Sequence, residues 1–196
     1  MRRMSNREAL MDWSGRSAAK VRFYRRSLRL LYAVGLVAVA GPSPGWTQVP
    51  GCATTLRPDP PRQVLLCADG LTLTAEPETQ FRVLDSAADH RADRIEVGGH
   101  GLMIELTPAT KRQQFQILTP HAVATVRGTT WAVDVTPSRT SIFVQSGVVA
   151  VSRVGGSERV AVRNGEGVDV EAGERDLTVR RWPPDRAARL LARFGR

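Results

Sequence analysis

The sequence predicts an all-β domain, a β-helical or sandwich-like stack of short strands, closed by a short C-terminal amphipathic helix. Three observations predict it. Apolar residues recur at every second position in short runs over residues 64–179, broken by turns at the spacing of sandwiches and β-helical stacks. The pattern Ile142-Phe143-Val144, Gly147, Val149-Ala150-Val151 is echoed by Val160-Ala161-Val162, Gly167, Val168-Asp169-Val170, which favours units that bury an apolar edge only against their neighbours. Beyond residue 181 the apolar period lengthens from that of a strand to that of a helix.

From the N-terminus, Arg22, Arg25, Arg26 and Arg29 precede the apolar run 30–40, and Gly41-Pro42-Ser43-Pro44-Gly45 follows it. A charged segment, an apolar segment and a breaker in that order predict an export signal. The run falls well short of the roughly 20 apolar residues of a membrane span, so cleavage is favoured over anchoring and the expected location is the periplasm. Ala38-Val39-Ala40 offers a small-x-small cleavage site, and a cut before about residue 48 is the alternative. Arg25-Arg26 resembles a twin-arginine signal except that Arg29 interrupts the apolar residues after it. Met4 or Met11 would serve as a later start. Residues 1–48 are therefore signal and flank, and 49–63, with Pro58, Pro60 and Pro61, a stiff loop. Cys52 and Cys67 are the only two cysteines. An oxidising compartment would pair them across a short loop, worth about 3 kcal/mol in the chain-entropy picture; two cysteines without a second Cys or His pair do not make a zinc site. Val49-Pro50-Gly51 before Cys52 is the competing lipid-attachment pattern, which Pro50 fits poorly.

Strands are expected at 64–68, 71–75, 80–84, 94–97, 102–106, 115–118, 122–126, 131–135, 141–144, 148–153, 159–162, 168–170 and 177–179, within a β domain of residues 64–181. Gly98-Gly99-His100-Gly101 reads as a tight turn between two of them. Residues 182–196 form the helix. Pro183-Pro184-Asp185 starts it, and Ala187, Leu190, Leu191 and Phe194 fall on one face. That face either packs with Trp182 on the β body or docks on a partner or an anionic membrane surface, with Arg186, Arg189 and Arg193 as candidate docking residues.

The chain has 196 residues and a net charge of +9, and the location of that charge decides its meaning. Residues 1–48 carry 9 Lys+Arg against 2 Asp+Glu. The tail from residue 179 is also basic, which leaves 49–178 at about −3. Nucleic-acid binding needs a basic face on the folded body, so no nucleic-acid partner is expected. Catalytic patterns are lacking as well. His90, His100 and His121 share no metal-ligand spacing, and no zinc-protease helix, nucleophile elbow or phosphate loop is present. The sequence therefore predicts no enzyme, no cofactor and no metal. Glu166, Asp169, Glu171 and Glu174 are interleaved with Val168 and Val170 and read as a solvated strand face.

The densest pattern is 119–151. Trp131, Val133 and Val135 alternate with Ala132, Asp134 and Thr136, as in a half-buried strand, and Gly128 marks the turn before it. Thr119, Pro120, His121, Val126, Arg127, Gly128, Thr129, Trp131, Val133, Thr140, Val144, Gly147 and Val151, with Ile142 in place of one Val, resemble the motif of the FecR domain, an all-β periplasmic module of bacterial envelope signalling. The resemblance covers about residues 64–181. It implies a structural role for Thr119, Pro120, His121, Arg127, Gly128, Thr129, Trp131 and Gly147; for Arg127 the alternatives are bonds to loop carbonyls or contact with a partner. Full-length relatives carry a cytoplasmic anti-sigma region, a membrane span and a further domain that meets an outer-membrane transporter. This chain has too few residues before Leu30 for the first of these. The expectation is an exported interaction module in envelope signalling or regulation that binds an envelope protein, a receptor or membrane regulator; the alternative is a structural or glycan-binding β module.

Overall fold

The structure, a computed structural model, describes residues 51–84, 93–107, 115–173 and 176–196. The expected export signal, His90 and Glu174 lie outside them. Thirteen strands form one continuous sheet, which folds into two layers around a shared core.

The strands are β1 (Cys52–Pro58), β2 (Pro61–Cys67), β3 (Leu71–Ala75), β4 (Gln80–Leu84), β5 (Arg94–Leu106), β6 (Phe115–Leu118), β7 (Ala122–Val126), β8 (Thr130–Val135), β9 (Arg139–Ser146), β10 (Val148–Arg153), β11 (Arg159–Arg163), β12 (Glu166–Glu171) and β13 (Val179–Arg181). Helix α1 (Pro184–Ala192) follows. The front sheet runs β1, β2, β3, β5, β8, β9, β12, β13, and the back sheet β11, β10, β7, β6, β5, β4. Every pairing is antiparallel except β5 with β6. The sandwich alternative of the two predicted architectures is the one adopted.

The strand β5 belongs to both layers. Its first half pairs with β4 and β6 and its second with β3 and β8. The glycine-rich segment expected to be a turn is the crossing point of one continuous strand. The register against β4 shifts there, and His100 takes φ 64°. The glycines let the chain bulge and change layers without ending the strand.

The first hairpin corrects the expectation of a loop over 49–63. Thr54, Thr55 and Leu56 of β1 pair with Leu65, Val64 and Gln63 of β2, and the turn falls among the prolines. Proline costs a sheet one ladder bond, a loss tolerated at an edge, and among the described residues β1 pairs with β2 alone. Cys52 and Cys67 sit directly opposite each other and form a disulfide at the open end of the hairpin.

Alternation puts Leu73, Leu102, Ile104, Trp131, Val133, Ile142 and Val168 of the front sheet against Ile95, Phe115, Ile117, Val149 and Val162 of the back sheet. At about 25 cal/mol per Å² of apolar surface removed from water, this core is the main stabilising term. The outer face of the front sheet holds a second cluster, in which Met103, Ala132 and Phe143 meet Trp182, Leu190 and Phe194 of the C-terminal segment.

Candidate interaction site

Two sheet faces could meet a partner, and they differ sharply. The front face is covered by α1. Two rows of side chains cross it. Met103, Ala132, Phe143 and Gly167 are register neighbours on β5, β8, β9 and β12, and Gly101, Asp134, Ser141 and Asp169 form the next row. The helix lies across the strands, with its apolar side on the first row and its arginines on the second. Arg186 donates to both oxygens of Asp169, at 2.7 and 2.9 Å, and Ser141 Oγ donates to Asp169 Oδ1 at 2.6 Å. Arg193 bonds both oxygens of Glu76 and reaches Asp134 at 2.9 Å. Arg196 bonds Glu105. Seven helical residues rise about 10.5 Å and two strand spacings span about 9.6 Å, so the separation of Arg186 and Arg193 matches that of Asp169 on β12 and Asp134 on β8.

Small residues let the helix approach. A Cβ at Gly167 would overlap the Trp182 indole and lie 2.7 Å from the Ile142 carbonyl. Trp182 stacks on Phe143 with centroids 5.2 Å apart, and the Arg186 guanidinium covers its other side at 3.6 Å. The arrangement is the packed alternative for the helix. Its apolar side is spent on the sheet, which removes the amphipathic surface that membrane contact would use. Arg186 and Arg193 are engaged inside the molecule rather than free for docking, while Arg189 is exposed and has no ion pair among the described residues. The cleft beside the helix, about 180 Å³ and lined in part by Asp134, Arg139, Arg186 and Arg189, is smaller than a typical small-molecule site.

Burial pushes the Asp169 carboxyl up. Hydrogen bonds from Arg186 and Ser141, with the charges of Arg186 and Arg139, outweigh it and hold the group below its ordinary value of 3.8. A carboxylate depressed in the folded state stabilises the fold above its unfolded pKa, and that contribution is lost as pH falls through the folded value. Acidification below about pH 4 should therefore loosen the Trp182 end of α1, and Asp169→Asn should remove this transition. Tryptophan fluorescence against pH checks it; an identical acid transition in the variant would contradict the assignment.

The turn residues of the motif fall in three turns, β6–β7, β7–β8 and β9–β10. Thr119 Oγ1 accepts the N–H groups of His121 and Ala122 and donates to the Ala122 carbonyl. Thr140 Oγ1 lies 2.9 Å from Thr119 Oγ1 and 3.1 Å from His121 Nδ1, within hydrogen-bond reach of both. This network ties the β6–β7 turn to β9, and Pro120 is exposed within it. Gly128 of the β7–β8 turn takes φ 58° and Gly147 of the β9–β10 turn φ 93°. A Cβ at Gly147 would sit 2.6 Å from the Thr129 methyl and 3.1 Å from the Gly128 carbonyl, so the two turns pack without room for a side chain. Thr129 and Trp131 are buried. Arg127 is exposed and makes no hydrogen bond or ion pair among the described residues; the loop-carbonyl bonds of a structural arginine are not formed.

The back sheet's outer face has no covering element among the described residues. Val126, Val149 and Val162 point inward and are buried, so the next position along each strand points outward. Those positions hold Arg127, Val148 and Arg163: Val148 pairs with Arg163, and Arg127 follows Val126, the partner of Val149. Further down the face lie Thr125, Ala150 and Ala161, then Val123, Ser152 and Arg159. Arg159 and Arg163 escaped notice in the sequence, although their four-residue spacing in a strand places both on one face. Among the described residues no three His, Cys, Asp or Glu side chains converge as metal ligands, and no helix is long and apolar enough to cross a membrane.

A model of the family described as FecR protein matches residues 58–150. No curated protein matches the sequence. Two crystal structures from Parabacteroides distasonis, both described as anti-sigma factors, share the fold at low identity. One has a TM-score of 0.54 and 13% identity over 71% of this chain and 64% of its own. The other has a TM-score of 0.51 and 14% identity over 72% and 61%. This chain thus spans less than two thirds of the length of those structures.

Proposed function

We propose, on the premise that residues 58–150 are a FecR domain, that this protein is a regulatory module of the bacterial envelope, exported to the periplasm, which acts by binding another protein. The family match and the fold shared with structures described as anti-sigma factors support a signalling role. The contrast between the two sheet faces carries the binding role. The front face has its own helix, held by ion pairs at three arginines; the back face presents Arg127, Arg159, Arg163 and Val148 to solvent. A glycan-binding module would use exposed aromatic rings, yet Phe115 of the back sheet is buried and Phe81 packs, partly buried, against the core.

In-cell crosslinking of a C-terminally tagged chain, with mass spectrometry of captured proteins and of the chain's own N-terminus, tests this. The expected result is a receptor or membrane regulator attached to a chain beginning between residues 41 and 49. Capture of glycan alone, or a chain that keeps residues 22–29, would overturn it.

A further inference from the structure

We infer that the binding surface is the free edge of β11, and that it takes an extended, acidic segment of the partner protein as an added strand. The inference rests on the protein-binding role proposed above and names its chemistry. The strand β11 hydrogen-bonds β10 alone among the described strands, so its second backbone edge carries no ladder, with β12 and β13 of the front sheet beside it. Arg163, Ala161 and Arg159 alternate with Val162 and Val160, and in a strand such positions direct their N–H and C=O groups to one side. The Arg163 N–H is not paired with backbone; it donates to Glu166 Oε2 at 2.8 Å. One position of this edge thus already holds a carboxylate from the chain itself.

The side chains fit the same occupant. Arg159 and Arg163 lie about 13 Å apart on one face, and Arg127 is about 10 Å from Arg163, two strands away. Ala161, Ala150 and Thr125 between them are small, and Val148 is 49% exposed. None of the three arginines has an ion pair among the described residues, and Arg181, whose guanidinium lies over Gly165, extends the cationic surface past the β11–β12 turn. Glu158 and Glu166 stand only at the two ends of β11. An added strand with carboxylates at alternate positions would meet Arg159 and Arg163 as cross-strand pairs of opposite charge, while its backbone completes the ladder. A nucleic acid or lipid headgroup could use the charges but not the directional backbone edge. The other long edge, β1, has Cys52, Ala53, Thr54, Thr55 and Leu56 before its first charge and offers no such match.

The test has two arms. In the first, the full chain is titrated with a synthetic seven-residue peptide alternating Glu and Val, a Lys and Val counterpart, and phosphatidylglycerol vesicles. The acidic peptide should bind, more weakly at higher salt, and the double variant Arg159→Glu, Arg163→Glu should weaken it by roughly tenfold or more. Arg57→Glu on β1 should leave it unchanged, and both variants should melt as the parent does. Equal binding of the basic peptide, indifference to the double variant, or arginine-dependent vesicle binding without peptide binding would each overturn the inference. In the second arm the double variant enters the in-cell crosslinking. Loss of the partner captured by the parent supports the β11 edge. Capture equal to the parent's sinks it and leaves the binding role standing, whereas no capture by either chain sinks both.

Discussion

Trp131→Ala should be the most damaging single substitution in the domain, lowering the free energy of unfolding by about 4 kcal/mol, a large part of the stability of an ordinary domain. Trp131 has no exposed surface and is the largest side chain in the interior between the sheets. Its removal leaves a void beside β5 and β9, which are hydrogen-bonded on both sides and have little freedom to close in. Trp131→Phe should cost far less. The Trp131 indole Nε1 is buried without a partner, and phenylalanine discards that unsatisfied donor while keeping most of the apolar area. Urea unfolding of the two variants checks the difference. Comparable losses for both would mean that the indole N–H is bonded in solution and that its polar end, not its bulk, holds the site.

Arg193→Ala should come second, at about 2 to 3 kcal/mol. Its guanidinium bridges Glu76 and Asp134, whose side chains are 14% and 23% exposed, while Arg193 itself is 36% exposed. Breaking a fully buried pair by deleting one partner costs about 3 to 5 kcal/mol because the other charge stays behind unpaired; partial exposure reduces that figure. The loss should concentrate in α1, so hydrogen exchange at 184–194 should rise before the strands respond. Arg189→Ala, on the same helix and without an ion pair, should fall within about 0.5 kcal/mol. Equal effects at 189 and 193 would show that the helix is held by its apolar side alone.

The elements legible in the sequence are those with clean alternation and ordinary turns. The strands at 71–75, 80–84, 115–118, 122–126 and 148–153 have the expected bounds, because each turns one face to the core and shows it in the period of its apolar residues. β1 was hidden since neither of its faces is deeply buried, and prolines beside it mimic a linker. β5 was divided because glycines break a strand's pattern whether they end the strand or bend it, and the difference lies in partners far along the chain. The helix and its apolar side were plain, whereas the carboxylates facing its arginines were not. Glu76, Asp134 and Asp169 come from three separate segments and meet α1 only after the front sheet has aligned them. Arg127 carries the same lesson from the opposite direction: the turn glycine beside it was recognisable, but an arginine that bonds nothing nearby looks, in sequence, like one that does.

The shared strand β5 also sets the tempo of assembly. Its partners are β3 and β4 before it and β6 and β8 after it, so its ladders are not complete until the chain through residue 135 is available to pair. Folds dominated by such distant pairings form over milliseconds to seconds rather than microseconds. On the export route proposed above, such a delay would keep the chain threadable until β3, β4, β6 and β8 can all meet β5.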